Sequence, residues 1–371
     1  MNLRPEAVEL RLVEMPLRSP FETSFGVEHH RQCVLVRLRG DGWEGWGECV
    51  AGSSPGYSYE TTSTAWHILV DFLLPPLFRE PRIGIERYRA RDIGIRGHPM
   101  ARAAVEMALW DAEGHIEGKS LQALVGGSGA RVSVGVSVGI QANPETLVEV
   151  VARYVDEGYR RVKLKIKPGR DRGDVQAVRR AFPDLPLQVD ANSAYRLEEA
   201  ATLQALDEFG LLMIEQPLDD DDLVDHSRLQ RMLKTPLCLD ESLLSARHAR
   251  HALEIGACRI LNLKAGRLGG LSEAVAAHDV GLALGAPVWC GGMLETGIGR
   301  ASNLALASLP GFTLPADLSA TDRYYERDVI RQRFVLNPDS TIDVPTEPGL
   351  GVDVDFGELD RVTVKKEVFS S

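Results

Sequence analysis

Several signatures of familiar chemistry are missing from this chain of 371 residues. Its five cysteines, at 33, 49, 238, 258 and 290, form no C-x-x-C pair. That argues against a disulfide framework and for reduced core thiols in a cytoplasmic protein. The nine histidines show no H-E-x-x-H or other ligand spacing. No Lys/Arg block is present, and acids outnumber bases 53 to 42, so no nucleic-acid partner is expected. The longest apolar run, AWHILVDFLLPPLF at 65–78, contains Asp71 and meets Pro75–Pro76. That suits a buried helix stopped by proline, not a membrane span. MNLRPEAVEL at the start has no apolar core of the signal-peptide kind.

What is present falls into two parts. VELRLVEMPL, CVLVRLRG and WEGWGECV alternate like strands, and residues 60–78 and 98–117 then carry helical spacing. In the second, Ala101, Ala104, Val105, Ala108 and Leu109 share one apolar face. Strands followed by helices predict an α+β module over residues 1–127. From about residue 131, short apolar runs alternate with amphipathic helices. The first such helix starts at Asn143–Pro144, a capping residue followed by proline, and stops near Gly158. This pattern predicts parallel βα units over 128–320, followed by a C-terminal segment at 321–371.

A charged residue ends each of five successive predicted strands: Lys165, Asp190, Glu215, Asp240 and Lys264. They stand 25, 25, 25 and 24 residues apart, one βα unit per step. Seven or eight strands fit before residue 315, so the expected fold is α/β, a (β/α)8-type barrel with a degenerate last unit. Such barrels gather catalytic groups at the C-terminal ends of their strands. An open doubly wound sheet would gather them at one switch point instead.

Side chains alternate across a strand, so in VKLKIK the residues Lys163 and Lys165 point into the barrel while Leu164 and Ile166 face outward. Three carboxylates on the next three strands would repel one another without a cation among them. Oxygen-only ligation favours a hard divalent ion, Mg²⁺ or Mn²⁺. Lys264 lies four steps round the ring from Lys165. A metal flanked by two lysines suits removal of a proton α to a carboxylate, with one lysine as base and the other delivering a proton to the opposite face. Lys163 and Arg267 are the expected neighbours that depress a lysine's pKa.

The motifs KLK (163–165), VDAN (189–192), IEQP (214–217), LDES (239–242) and NLKAGRLGG (262–270) in this order resemble the enolase superfamily, muconate-lactonising subgroup. Within it, PFETSFG (20–26), GWGECVA (45–51), GGMLETGIGR (291–300) and FTLPADLSAT (312–321) are most similar to the N-succinylamino acid racemase and o-succinylbenzoate synthase group. The resemblance implies Lys165 and Lys264 as the acid/base pair, Lys163 as helper, and Asp190, Glu215 and Asp240 as metal ligands. It implies a substrate pocket lined by Ser137, Asn192, Tyr57 and the turn Gly292, Met293, Leu294 and Glu295. It also implies that residues 1–127 cap the barrel and that 321–371 return to this cap, a lid over 20–26 with Phe21 and Phe25 as apolar contacts, and a homo-oligomer.

The implied substrate is a small carboxylate, an N-acylated and especially N-succinylated amino acid, with dehydration to o-succinylbenzoate as companion or main reaction. LPADLS has Asp317 alone where dipeptide epimerases carry an Asp-x-Asp pair, which lowers that reading. The alternatives are muconate-type cycloisomerisation, a Schiff-base aldolase on the same barrel, and a non-catalytic binding protein. Borohydride trapping with a carbonyl compound would mark the aldolase.

Overall fold

The computed structural model describes residues 3–79, 83–92 and 94–370. Met1, Asn2 and Ser371, at the ends of the expected cap, lie outside them. The cap begins with three antiparallel strands, β1 (Ala7–Thr23), β2 (Gly26–Gly40) and β3 (Trp43–Cys49). The run CVLVRL in β2 is apolar at consecutive positions because both of its faces are covered. Val34, Val36 and Leu38 join the cap core, while Cys33 and Leu35 join the barrel core. A strand buried on both sides loses the simple alternation of a half-buried one.

The Pro99–Glu117 helix lies on β3 with Ala101, Ala104 and Ala108 inward. Two glycines permit this approach. A Cβ at Gly45 would stand 2.0 Å from the Ala108 carbonyl oxygen, and one at Gly47 would stand 1.9 Å from that of Ala104. The other predicted helix does not stop at Pro75–Pro76. Thr62–Ile68 passes through a π turn at Leu69–Leu73 into Leu74–Arg79. The two prolines sit in the first turn of the new segment, where their missing donors are tolerated. Among the described residues no helix is long and apolar enough to cross a membrane.

A short strand β4 (Arg131–Ser133) leads to seven parallel strands. These are β5 (Val136–Val138), β6 (Val162–Lys165), β7 (Leu187–Asp190), β8 (Ile214–Glu215), β9 (Leu237–Leu239), β10 (Ile260–Leu263) and β11 (Val288–Cys290), side by side in chain order. The eighth place is taken by an irregular segment at 312–317. Its Asp317 N–H donates to Cys290 O at 2.9 Å, its Ala316 N–H donates to Ser133 O at 2.8 Å, and Gly135 N–H donates back to Ala316 O at 2.8 Å. The ring therefore closes through a degenerate unit. Pro310 and Pro315 remove donors that a regular ladder needs. Buried Arg161 donates to the Pro315 and Ala316 carbonyls instead, both at 2.8 Å. The first barrel helix, Pro144–Asp156, is capped by the Asn143 side chain. After β12 (Thr341–Asp343), paired with β4, the chain returns to the cap, where β13 (Thr363–Ser370) pairs with β1.

Cap and barrel are joined by buried carboxylates at helix starts, where unpaired N–H groups and the helix dipole favour an acceptor. Glu106 of the Pro99–Glu117 helix accepts from Ser272 N–H at 3.3 Å. Glu48 of β3 accepts from the Thr296 hydroxyl at 2.7 Å and from Gly299 N–H at 3.0 Å, at the start of the Gly297–Ala307 helix. Burial, reinforced by Glu295, pushes Glu48 up to about 7.

Two outcomes follow. Gly47→Ala forces β3 off its helix and should cost roughly 1–3 kcal/mol in denaturant unfolding; an unchanged midpoint would contradict the packing. Glu48 has a folded pKa above its ordinary value of 4.5. Its contribution is therefore complete below that value and lost as pH rises through about 7, up to roughly 3 kcal/mol. Thermal unfolding of Glu48→Gln across this window should show a flatter pH dependence than wild type; superimposable slopes would refute the assignment.

Candidate active site

The strand register brings the five charged strand ends together. Lys165 is level with Asp190, and Asp190 with Glu215. Asp240 and Lys264 follow directly on β9 and β10. Asp190, Glu215 and Asp240 are fully buried, and the lysines interleave with them. Lys163 Nζ lies 3.1 Å from both Asp190 and Glu215, and 2.6 Å from Asp317. Lys165 Nζ donates to Asp190 at 2.7 Å and to Asn192 Oδ1 at 2.6 Å. Across the ring, Lys264 Nζ donates to Asp240 at 2.7 Å and to the Tyr57 hydroxyl at 3.1 Å. Tyr57 in turn donates to Asp240 at 3.0 Å. Lys167 sits at the rim, 3.0 Å from Glu22 of the β1–β2 hairpin.

Burial works against every one of these charges, and the neighbours decide the outcome. Asp190 is held well below the carboxylate range, burial being outweighed by Lys165 and Lys163. Asp317 is held down likewise by Lys163 and Arg161. Glu215 is raised by burial and by Asp190. Lys163 stands well above its ordinary value, since Asp317, Glu215 and Asp190 overcome its burial.

Arg267 departs from the expected tuning role. Its guanidinium pairs with Asp240 and donates to Leu243 O at 2.8 Å, and burial lowers its pKa. Lys264 is raised, not lowered. Burial and Lys163 press its pKa down, but Tyr57, Glu215 and Glu241 hold it up. Lys163 is a cation that presses on Lys264, while the Arg267 guanidinium is paired with Asp240.

The acids suit a hard divalent cation by donor type and burial. Glu241, beside Asp240 in sequence, has a buried Oε2 with no hydrogen-bond partner, and burial together with Asp190 pushes this group up to about 7. An unmatched buried carboxylate oxygen beside these acids is a free acceptor that a cation would satisfy. Among the described residues, however, no three acidic, histidine or cysteine side chains close round one point, because the lysines stand between them. Asp190, Glu215 and Asp240 are the residues that would hold the ion.

Above this layer lies a cavity lined by Lys163, Lys165 and Lys264. Phe21 and Phe25 of the β1–β2 hairpin, and Tyr57, line it from the cap. Ser137, Asn192, Gly292, Met293 and Leu294 line it from the barrel. The hairpin is fastened to the barrel by Ser24, whose hydroxyl donates to Asn192 O at 3.0 Å. Glu295 lies behind the turn, accepting from Met293 N–H and Asn303 Nδ2, both at 2.8 Å. Asn192, Gln216 and Leu294 take positive φ of 43°, 35° and 57°, so backbone strain gathers where strands open into the site. Sequence reasoning missed Glu241, Glu48 and the hold of Asp317 on Lys163. The available signal was an acid within an apolar strand pattern at 48 and a second acid after Asp240.

Comparison with known proteins agrees with this architecture. Residues 7–126 match the mandelate racemase / muconate lactonizing enzyme N-terminal domain, and residues 146–358 match the enolase C-terminal domain-like family. The chain is 50% identical over 370 residues to an o-succinylbenzoate synthase of Geobacillus stearothermophilus, covering 100% of this chain and 98% of the relative. It is 49% identical over 365 residues to an N-succinylamino acid racemase of an Amycolatopsis species, covering 98% and 99%. The crystal structure of an enolase-superfamily member from Listeria innocua superposes with a TM-score of 0.94 at 42% identity, covering 99% of each chain. With both domains matched and the strand-end charges assembled at the mouth of its barrel, the chain belongs to the enolase superfamily, as a mandelate racemase / muconate lactonizing enzyme-type protein.

Proposed function

We propose that this enzyme removes the proton α to the carboxylate of an N-acylated amino acid, N-succinylated above all, and returns a proton to either face. Formation of o-succinylbenzoate is the companion reaction, and the names of the relatives support both. The observation that carries the reading is that Lys165 and Lys264, from opposite sides of the ring, line one cavity.

Each lysine does the same work in opposite directions. Its neutral Nζ takes the α-proton, and the opposite ammonium gives one back, so the configuration inverts with no net proton change. Asp190 and Asn192 orient Lys165, while Asp240 and Tyr57 orient Lys264. Phe21 and Phe25 help exclude water from the cavity. Asp190, Glu215 and Asp240 would hold a divalent ion, Mg²⁺ in our assignment with Mn²⁺ as substitute, and it would supply positive charge to stabilise the carboxylate as the α-proton leaves. In the dehydration, Lys165 acts first as base and then as acid to the departing hydroxyl, with Lys264 remaining a cation.

A cytoplasmic setting belongs to the same proposal, supported by five buried free thiols. So does a homo-oligomer: Val364 and Val368 on the outermost cap strand are 56% and 51% exposed and offer apolar surface. The test is proton NMR of the Mg²⁺-loaded protein with N-succinyl-L-methionine in D₂O, followed by chiral analysis. Loss of the α-proton signal with appearance of the D-enantiomer is expected, and chelation should abolish both. Absence of exchange would overturn the racemase reading.

A further inference from the structure

The cavity has a second wall that the proton chemistry does not use. Arg31 of β2 lines it from the cap, 3% exposed. Among the described residues its guanidinium makes one hydrogen bond, from Nη2 to Val50 O, and its Nε has no partner. Among the described residues it forms no ion pair with a carboxylate. The acids and hydroxyl that face it are engaged elsewhere or stand off. Glu48 is held by Thr296 and Gly299, and the Tyr325 hydroxyl donates to Leu294 O at 2.5 Å. Glu28 remains beyond contact, with a buried Oε2 that itself has no hydrogen-bond partner. A buried cation without a contacting anion is costly, and a planar guanidinium is suited to gripping a carboxylate through two hydrogen bonds.

The approach to Arg31 is kept open by Gly52. A Cβ there would meet Nη1 at 3.3 Å and Glu28 Oε1 at 3.9 Å. On the same cavity surface, Ser137 has a buried hydroxyl with no partner. The three lysines therefore form one cationic wall and Arg31 a separate cationic point. A monocarboxylate uses one of them; a dicarboxylate uses both.

We propose that Arg31 is the specificity-determining residue for the acyl group, binding a carboxylate at its far end. This rests on the N-acyl amino acid reading above, and it assigns the preference for a succinyl over an uncharged acyl group to one side chain. Glu28 balances Arg31 at a distance in the free protein. The ligand carboxylate makes the direct contact that Glu28 does not.

The experiment is titration calorimetry of the Mg²⁺-loaded enzyme with N-succinylglycine and with N-acetylglycine. The two probes share the α-carboxylate and differ in the distal charge. Wild type should favour N-succinylglycine. Arg31→Gln should reduce that affinity ratio by about tenfold or more, the scale of a lost charge-assisted contact. Gly52→Ala, which keeps the cation but narrows the approach, should reduce the ratio in the same direction and carries the test if Arg31→Gln fails to fold. No preference in wild type, or a ratio retained in the variants while both ligands weaken together, would overturn the proposal and leave Arg31 as a counter-charge to Glu28. Binding is read without turnover. A protein that binds both probes yet exchanges no α-proton would sink the racemase reading, while the ratio still judges Arg31.

Discussion

Lys163 holds three carboxylates, Asp190, Glu215 and Asp317, within 3.1 Å of one ammonium at the bottom of the barrel. Its side chain is buried and lies 5.1 Å from the centroid of the Trp289 ring. Few arrangements of charge survive such burial, because each uncompensated group costs several kcal/mol. The alternating lysines and acids are the solution adopted here. The consequence is positional: once Lys163 fixes Asp190, the Lys165 ammonium has its own place beside Asp190 and Asn192, facing the cavity.

The cap completes what the barrel begins. Tyr57 reaches across to both Lys264 and Asp240, so Lys264, one of the two lysines proposed to carry the proton, is oriented by the cap as well as by its own sheet. Glu48 fixes the start of the Gly297–Ala307 helix, and through it the turn that sets Met293 Sδ 3.5 Å from Lys264. Arg31 and Phe21 come from the same cap sheet. The proposed mechanism thus places the proton chemistry on strand ends of the barrel and selection of the substrate's far end on the cap.

Much of this was legible in the sequence because it is local or periodic. The 25-residue recurrence of Lys165, Asp190, Glu215 and Asp240 needs only one βα unit per step. The inward aim of Lys163 and Lys165 needs only the strand period of two. The degenerate eighth unit is visible in the prolines around FTLPADLS. What escaped depends on contacts through space. Arg267 stands three residues from Lys264, yet its charge goes to Asp240, a partner supplied by the neighbouring strand. Glu48 finds its partners about 250 residues away. The π turn at Leu69–Leu73 falls immediately before a segment in which Pro75 and Pro76 have no N–H to donate to the preceding turn.

The central claim is that two lysines act on opposite faces of one carbon. It is tested most directly by offering each enantiomer of N-succinylmethionine separately to Lys165→Ala and to Lys264→Ala in D₂O. The account predicts loss of racemisation by about 10²–10⁴-fold in both, with residual α-deuterium incorporation confined to one enantiomer in each variant and to opposite enantiomers between them. Incorporation into the same enantiomer by both variants, or racemisation surviving in either, would contradict it.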